Sequence, residues 1–143
     1  MNKIAIVFWS GTGNTEAMAG FIAEGVRAAG GEAELLGPGD FSASRFSDYN
    51  AVAFGCPAMG SEVLEEAEFE PMFSALEGSL SGKRIALFGS YGWGDGQWMR
   101  DWCKRCGDAR ATLLDENGLV VNEAPDAEGE EACKELGREL AAW

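Results

Sequence analysis

The chain contains no histidine in its 143 residues. That removes the commonest metal ligand and the commonest general base at neutral pH, so neither a conventional catalytic triad nor a hydrolytic zinc site is expected. Positive charge is scarce as well, with 11 Lys and Arg against 24 Asp and Glu and a net charge of −13. Such a surface repels nucleic acid and anionic membrane, and favours a basic protein partner. No apolar run approaches the roughly 20 residues needed to cross a bilayer. The N-terminal apolar run, Lys3 to Trp9, is too short for a signal segment and leads straight into a glycine-containing turn. The expected compartment is therefore the cytoplasm. Linkers, repeats and low-complexity tracts are also missing, so residues 1–143 read as one domain, monomeric by default.

Cysteine is sparse, with four in the chain: Cys56, Cys103, Cys106 and Cys133. Cys103 and Cys106 have the spacing of a thiol redox pair. Reactive pairs of that kind sit at helix N-termini, where the dipole favours thiolate. Here the pair falls late in a helix beginning near Asp95, and a lone pair without histidine makes a poor zinc site. The two thiols read as ordinary helix residues, and no metal is expected.

What the chain does have is a distinctive turn. Lys3 to Trp9 is an apolar run of strand character, and Glu16 to Ala29 has helical spacing. Between them lie Ser10, Gly11, Thr12, Gly13, Asn14 and Thr15. A strand, a tight turn and a helix start present free N–H groups to an anion, and the glycines allow close approach. No Lys or Arg stands in or beside the turn, so it is not a P-loop. Glu16 occupies the third glycine position of a dinucleotide fingerprint, so it is not that either. Taken alone, the turn reads equally as a helix start that binds nothing.

The rest of the chain alternates strand and helix patterns. Strands are expected at Glu32–Leu36, Ala51–Gly55 and Lys83–Phe88, with an interrupted last strand at Ala111–Leu114 and Leu119–Val121. Helices are expected over Val63–Leu76, where Pro71 marks a new first turn or a kink, and over Asp95–Cys106 and Glu128–Ala142. A short helix or turn is expected within Phe41–Asp48. Five apolar strands alternating with helices imply a parallel sheet covered on both faces, a doubly wound α/β sandwich of three layers. In such sheets the ligand lies beyond the carboxyl ends of the strands.

Two further loops reach that edge. One is Cys56-Pro57-Ala58-Met59-Gly60-Ser61-Glu62, and the other is Gly89-Ser90-Tyr91-Gly92-Trp93-Gly94-Asp95-Gly96. A Trp among four glycines and a polarizable Met, presented from neighbouring loops, suit the two faces of an aromatic ring system. The alternative is that both pack on the protein itself.

These three loops, with Phe69-Glu70-Pro71 and Trp98-Met99-Arg100-Asp101, resemble the short-chain flavodoxins of anaerobic, clostridial type, essentially from end to end. The resemblance implies a flavodoxin-like fold, a five-stranded parallel sheet in the order 2-1-3-4-5, and noncovalently bound FMN as the only redox centre. It implies that Ser10, Gly11, Thr12, Gly13, Asn14 and Thr15 hold the 5′-phosphate. Trp93 would stack on the outer ring face, Met59 would lie against the inner face, and Glu62 would accept from the flavin N3–H. On one-electron reduction the Gly60–Ser61 peptide would flip, so that the Gly60 carbonyl accepts from N5–H. Pro57 and Ala58 would belong to the inner loop, while Ser90, Tyr91, Gly92 and Gly94 would flank the ring and its pyrimidine side. Met59, Gly60, Ser61, Glu62 and Trp93 would tune the potentials. Pro57 replaces a serine frequent in the family, which removes one possible phosphate contact.

The implied function is that of a low-potential one-electron carrier, cycling between semiquinone and hydroquinone and shuttling between redox proteins with basic docking faces. The resemblance implies an electron-transfer protein and not an enzyme. Glu62, Glu65, Glu66, Glu68, Glu70 and Asp95 cluster in sequence around the flavin loops. One charge about 8 Å from the ring, at an effective dielectric near 20, opposes an added electron by about 2 kcal/mol. The rival is an NAD(P)H-dependent FMN or quinone reductase of the same fold, which would need cationic residues beside the flavin, and no such cluster stands in these loops. A signalling receiver is excluded because Cys56, not Asp, follows the third strand.

Overall fold

The computed structural model describes residues 2–143. Ten main elements run in chain order: β1 (Lys3–Phe8), α1 (Asn14–Ala28), β2 (Glu32–Leu36), β3 (Ala51–Gly55), α2 (Phe69–Leu76), β4 (Arg84–Tyr91), α3 (Gln97–Asp108), β5 (Thr112–Leu113), β6 (Leu119–Asn122) and α4 (Ala127–Ala142). Between β2 and β3 the chain forms short 3₁₀ turns, including Ala43–Asp48, where the sequence suggested a short helix or turn.

All pairings are parallel, in the order β2-β1-β3-β4-β5, with β6 also on β4. The last strand is interrupted, as its sequence indicated. Thr112 pairs with Arg84 and Leu119 pairs with Phe88 further along the same strand. Gly118, at φ 71°, makes the break, and its N–H donates to the Asp115 carbonyl at 3.1 Å. Formally the sheet has six strands, but the last two together fill the fifth position.

The central strands are covered on both faces, which is why they read as continuous apolar runs. Their side chains still divide by the two-residue period. Val7, Phe54, Ile85 and Leu87 enter one core, which is rich in aromatic rings: Phe41, Phe46, Phe69, Phe73, Trp98 and Trp102. Ile6, Ala53, Ala86 and Phe88 enter the other, beneath Met18, Ile22, Val26, Leu136 and Leu140 of α1 and α4. These two helices cross at backbone distance. A Cβ added to Gly25 would collide with the Lys134 carbonyl, and one added to Gly137 would collide with that of Ile22.

One helix is shorter than its sequence pattern suggested. Residues 63–68 are not helical, and α2 starts at Phe69. The Pro71 ring cannot follow a helical residue 67, because it clashes with the carbonyl four residues back. Glu65 fills the gap, its buried carboxylate accepting the N–H groups of Ala67, Glu68 and Phe69, each at 2.8 Å. The start of α3 also moves, from Asp95 to Gln97, because Gly96 stands just before it at φ 87°.

Candidate functional site

At the carboxyl edge of the sheet the loops after β1, β3, β4 and β6 enclose a cleft of about 520 Å³. Of the residues singled out by sequence, Gly11, Thr12, Asn14, Pro57, Ala58, Met59, Ser90, Tyr91 and Gly92 line it.

At one end is the turn between β1 and α1. The Ser10 hydroxyl oxygen accepts the N–H groups of Gly13 and Glu16, at 3.1 and 3.2 Å, and so folds the turn from within. Gly13 takes φ 98°, a conformation that glycine enters without strain. The N–H groups of Gly11, Thr12, Asn14 and Thr15 have no hydrogen-bond partner among the described residues. Four open donors at a helix N-terminus are what binding an anion requires. Thr15 is buried, and its hydroxyl oxygen accepts the Ser90 N–H at 3.4 Å, so its side chain ties the turn to β4.

Ser90 joins the remaining loops. Its carbonyl accepts the Ala58 N–H at 3.1 Å, and its hydroxyl donates to the Glu123 carbonyl at 2.6 Å. One buried residue thus connects the loops after all four strands. The wall formed by Glu123 and Ala124, together with Trp9, also lines the cleft and was missing from the residues chosen by sequence. Glu123 is held at φ 57°, with its N–H donating to the Tyr91 carbonyl at 2.7 Å. The signal that could have found it was positional: it follows the last strand, and every such loop reaches this edge.

Gly60 and Ser61 are the central residues of a turn closed by the Glu62 N–H donating to the Met59 carbonyl at 2.8 Å. Nothing lies within 4 Å of the place a Gly60 Cβ would occupy. The turn is open to solvent on that side. Glu62, at φ 55°, lines a smaller cavity of about 140 Å³ with Trp98, Asp101, Trp102 and Arg105, rather than the cleft itself. Its Oε2 accepts the Trp98 N–H at the start of α3, at 3.0 Å. Its Oε1 is buried and has no donor among the described residues. Gly94, at φ 91°, lies directly against that oxygen, and a Cβ there would collide with it. Trp93 is 67% exposed and does not line the cleft, although its neighbour Gly92 does.

The acidic cluster is only partly free to act on a ligand. Glu65 is turned inward as the cap of α2, and three backbone donors outweigh the upward push of burial to hold its carboxyl below the ordinary carboxylate value. Glu70 receives both terminal nitrogens of Arg105, at 2.8 and 2.7 Å, and Arg105 also binds Glu77. Arg105 thereby cancels much of the Glu70 charge. Glu123, on the cleft wall, adds a carboxylate that the sequence reading did not count. All four thiols are buried. Burial pushes Cys56, Cys106 and Cys133 up to about 12, and Cys103 up to about 11. At neutral pH none is a thiolate, in keeping with the reading of Cys103 and Cys106 as helix residues.

An FMN molecule matches this arrangement of donors and acceptors. Four open N–H groups await an anion, a buried carboxylate oxygen lacks a donor, and an exposed indole is available to cover a ring. Comparison with known proteins agrees. A profile of the family described as Flavodoxin matches residues 6–137. The flavodoxin of Megasphaera elsdenii is 47% identical over 138 residues, covering 96% of this chain and 98% of its own. That of Clostridium beijerinckii is 45% identical over 136 residues, covering 95% and 97%. The solution structure of the two-electron reduced Megasphaera elsdenii flavodoxin superposes with a TM-score of 0.86, covering 98% of this chain and 99% of that one. With the strand order, the cleft and these relatives in agreement, the chain belongs to the flavodoxin family, small electron carriers that bind FMN.

Proposed function

We propose that this flavodoxin is a low-potential, one-electron carrier of the cytoplasm, with no substrate of its own, that docks transiently on basic faces of partner redox proteins. FMN supplies the redox chemistry when bound; the chain binds, orients and surrounds it. Ser10, Gly11, Thr12, Gly13, Asn14 and Thr15 receive the phosphate by N–H groups, hydroxyls and the α1 dipole. Met59 and Trp93 cover the two ring faces. Pro57, Ala58, Ser90, Tyr91, Gly92 and Gly94 shape the edges. Glu62 accepts from the pyrimidine N–H, and the Gly60–Ser61 peptide turns to present its carbonyl.

The observation that carries this reading is the unpaired Glu62 Oε1. A buried carboxylate oxygen without a donor is costly unless a ligand supplies one. Glu123 puts a carboxylate on the cleft wall, and Glu62, as the acceptor for the pyrimidine N–H, adds a second charge, while no cation stands in the β1 turn. Both features oppose the addition of a second electron. No acidic partner is expected for a chain of net charge −13.

Redox titration of the FMN-loaded protein tests the proposal. The second one-electron potential is expected well below that of free FMN, and NADPH alone is expected to leave the yellow protein unbleached. A second potential equal to or above that of free FMN refutes the low-potential reading. Rapid bleaching by NADPH would favour the reductase.

A further inference from the structure

Trp98 touches the inner flavin loop at two separate points. Its backbone N–H donates to Glu62 Oε2 at 3.0 Å, and its indole Nε1–H donates to the Cys56 carbonyl at 3.1 Å. Cys56 directly follows β3 and starts the loop, and Glu62 lies six residues further on. One side chain from α3 therefore fixes the base of the loop, while its amide fixes the carboxylate. Its ring, 2% exposed, also packs on Tyr91 of the outer loop, with centroids 5.9 Å apart. The base of the loop is held a second time, as the Glu65 N–H donates to the Cys56 sulfur at 3.3 Å.

We infer that the Trp98 indole is a positioning group for FMN recognition. It locks the Cys56 end of the loop, so that the Trp98 amide always meets Oε2 and Oε1 keeps one fixed position against Gly94, with no donor among the described residues. Without the indole bond the Cys56 carbonyl is buried and unpaired, and the loop relaxes to find it another donor. The carboxylate then loses its fixed orientation. The inference rests on the reading of Glu62 as acceptor for the pyrimidine N–H, and its test separates the two.

Trp98→Phe keeps an aromatic ring and removes only the indole donor. Affinities of wild type, Trp98→Phe and Glu62→Gln are measured by fluorescence titration for FMN and for 3-methyl-FMN, which lacks the N3–H. Wild type is expected to prefer FMN at least about tenfold, the worth of one charge-assisted hydrogen bond. Trp98→Phe is expected to erode that preference several-fold, and the double variant to be no less selective than Glu62→Gln alone. A purely structural role for the indole would weaken both flavins equally and preserve their ratio, which overturns the inference. A wild type without preference overturns the Glu62 reading and this inference with it. Should Trp98→Phe fail to fold, NMR of the wild-type protein decides. The Trp98 indole N–H is expected to exchange at least tenfold more slowly than that of the exposed Trp93, and equal rates overturn the inference.

Discussion

Replacing Gly94 by Ala separates two effects that the structure places in one residue. Gly94 sits at φ 91°, where an L side chain is strained by roughly 1–2 kcal/mol. For a chain of this length, 1 kcal/mol lowers the unfolding temperature by roughly 2–4 °C, so the apoprotein is expected to melt about 2–8 °C earlier. The new Cβ also falls on Glu62 Oε1 and stands 3.0 Å from the carboxyl carbon, so the carboxylate must swing away. The loss of one charged hydrogen bond to FMN, about 1.5–3 kcal/mol, weakens binding by about 10- to 150-fold. Thermal unfolding of apoprotein and FMN titration by tryptophan quenching measure the two effects independently. Gly94→Asn, whose side chain tolerates the left-handed region, is expected to recover most of the stability and none of the affinity. Gly94→Ala apoprotein that melts early yet binds FMN within twofold of wild type would refute the placement of Glu62 beside the flavin.

The Glu65 cap predicts a dependence on pH. Its folded carboxyl titrates below the ordinary value of 4.5, so the ionised form stabilises the fold. That contribution is complete above 4.5 and disappears as pH falls through the lower, folded value. Glu65→Gln is expected to lose about 1 kcal/mol at pH 7 and to show a shallower acid loss than wild type; parallel stability curves for the two would contradict the capping role. The thiols give a simpler test. All four are buried, so a thiol reagent at pH 8 is expected to label none in the native protein and all four in denaturant. Fast native labelling of Cys103 or Cys106 would revive a thiol redox role.

The strands and the turn between β1 and α1 were legible because their information is local. The apolar run from Ile4 to Val7 reads as a strand and the glycines at positions 11 and 13 as a turn without reference to distant residues. What escaped the sequence depends on distant partners. Glu65, Glu66, Glu68 and Glu70 look alike along the chain, yet one caps α2 and another is clamped by Arg105, 35 residues away. Only the folded packing of α2 against α3 tells them apart. The helical pattern over residues 63–68 was real, but Pro71 and the Glu65 carboxylate overrode it. Glu123 carries no motif at all, and its place in the cleft comes from the β6–β4 pairing.

The glycine crossing of α1 and α4 ties the cleft to a part of the chain far from it in sequence. The helix that follows the β1 turn packs at Gly25 on Lys134, and Gly137 packs on Ile22 in return. The loop after β6, with Glu123, leads into the same α4. A bulkier residue at Gly25 or Gly137 would therefore part the helix that carries the turn from the helix that follows the Glu123 wall, and disturb both ends of the cleft without touching it.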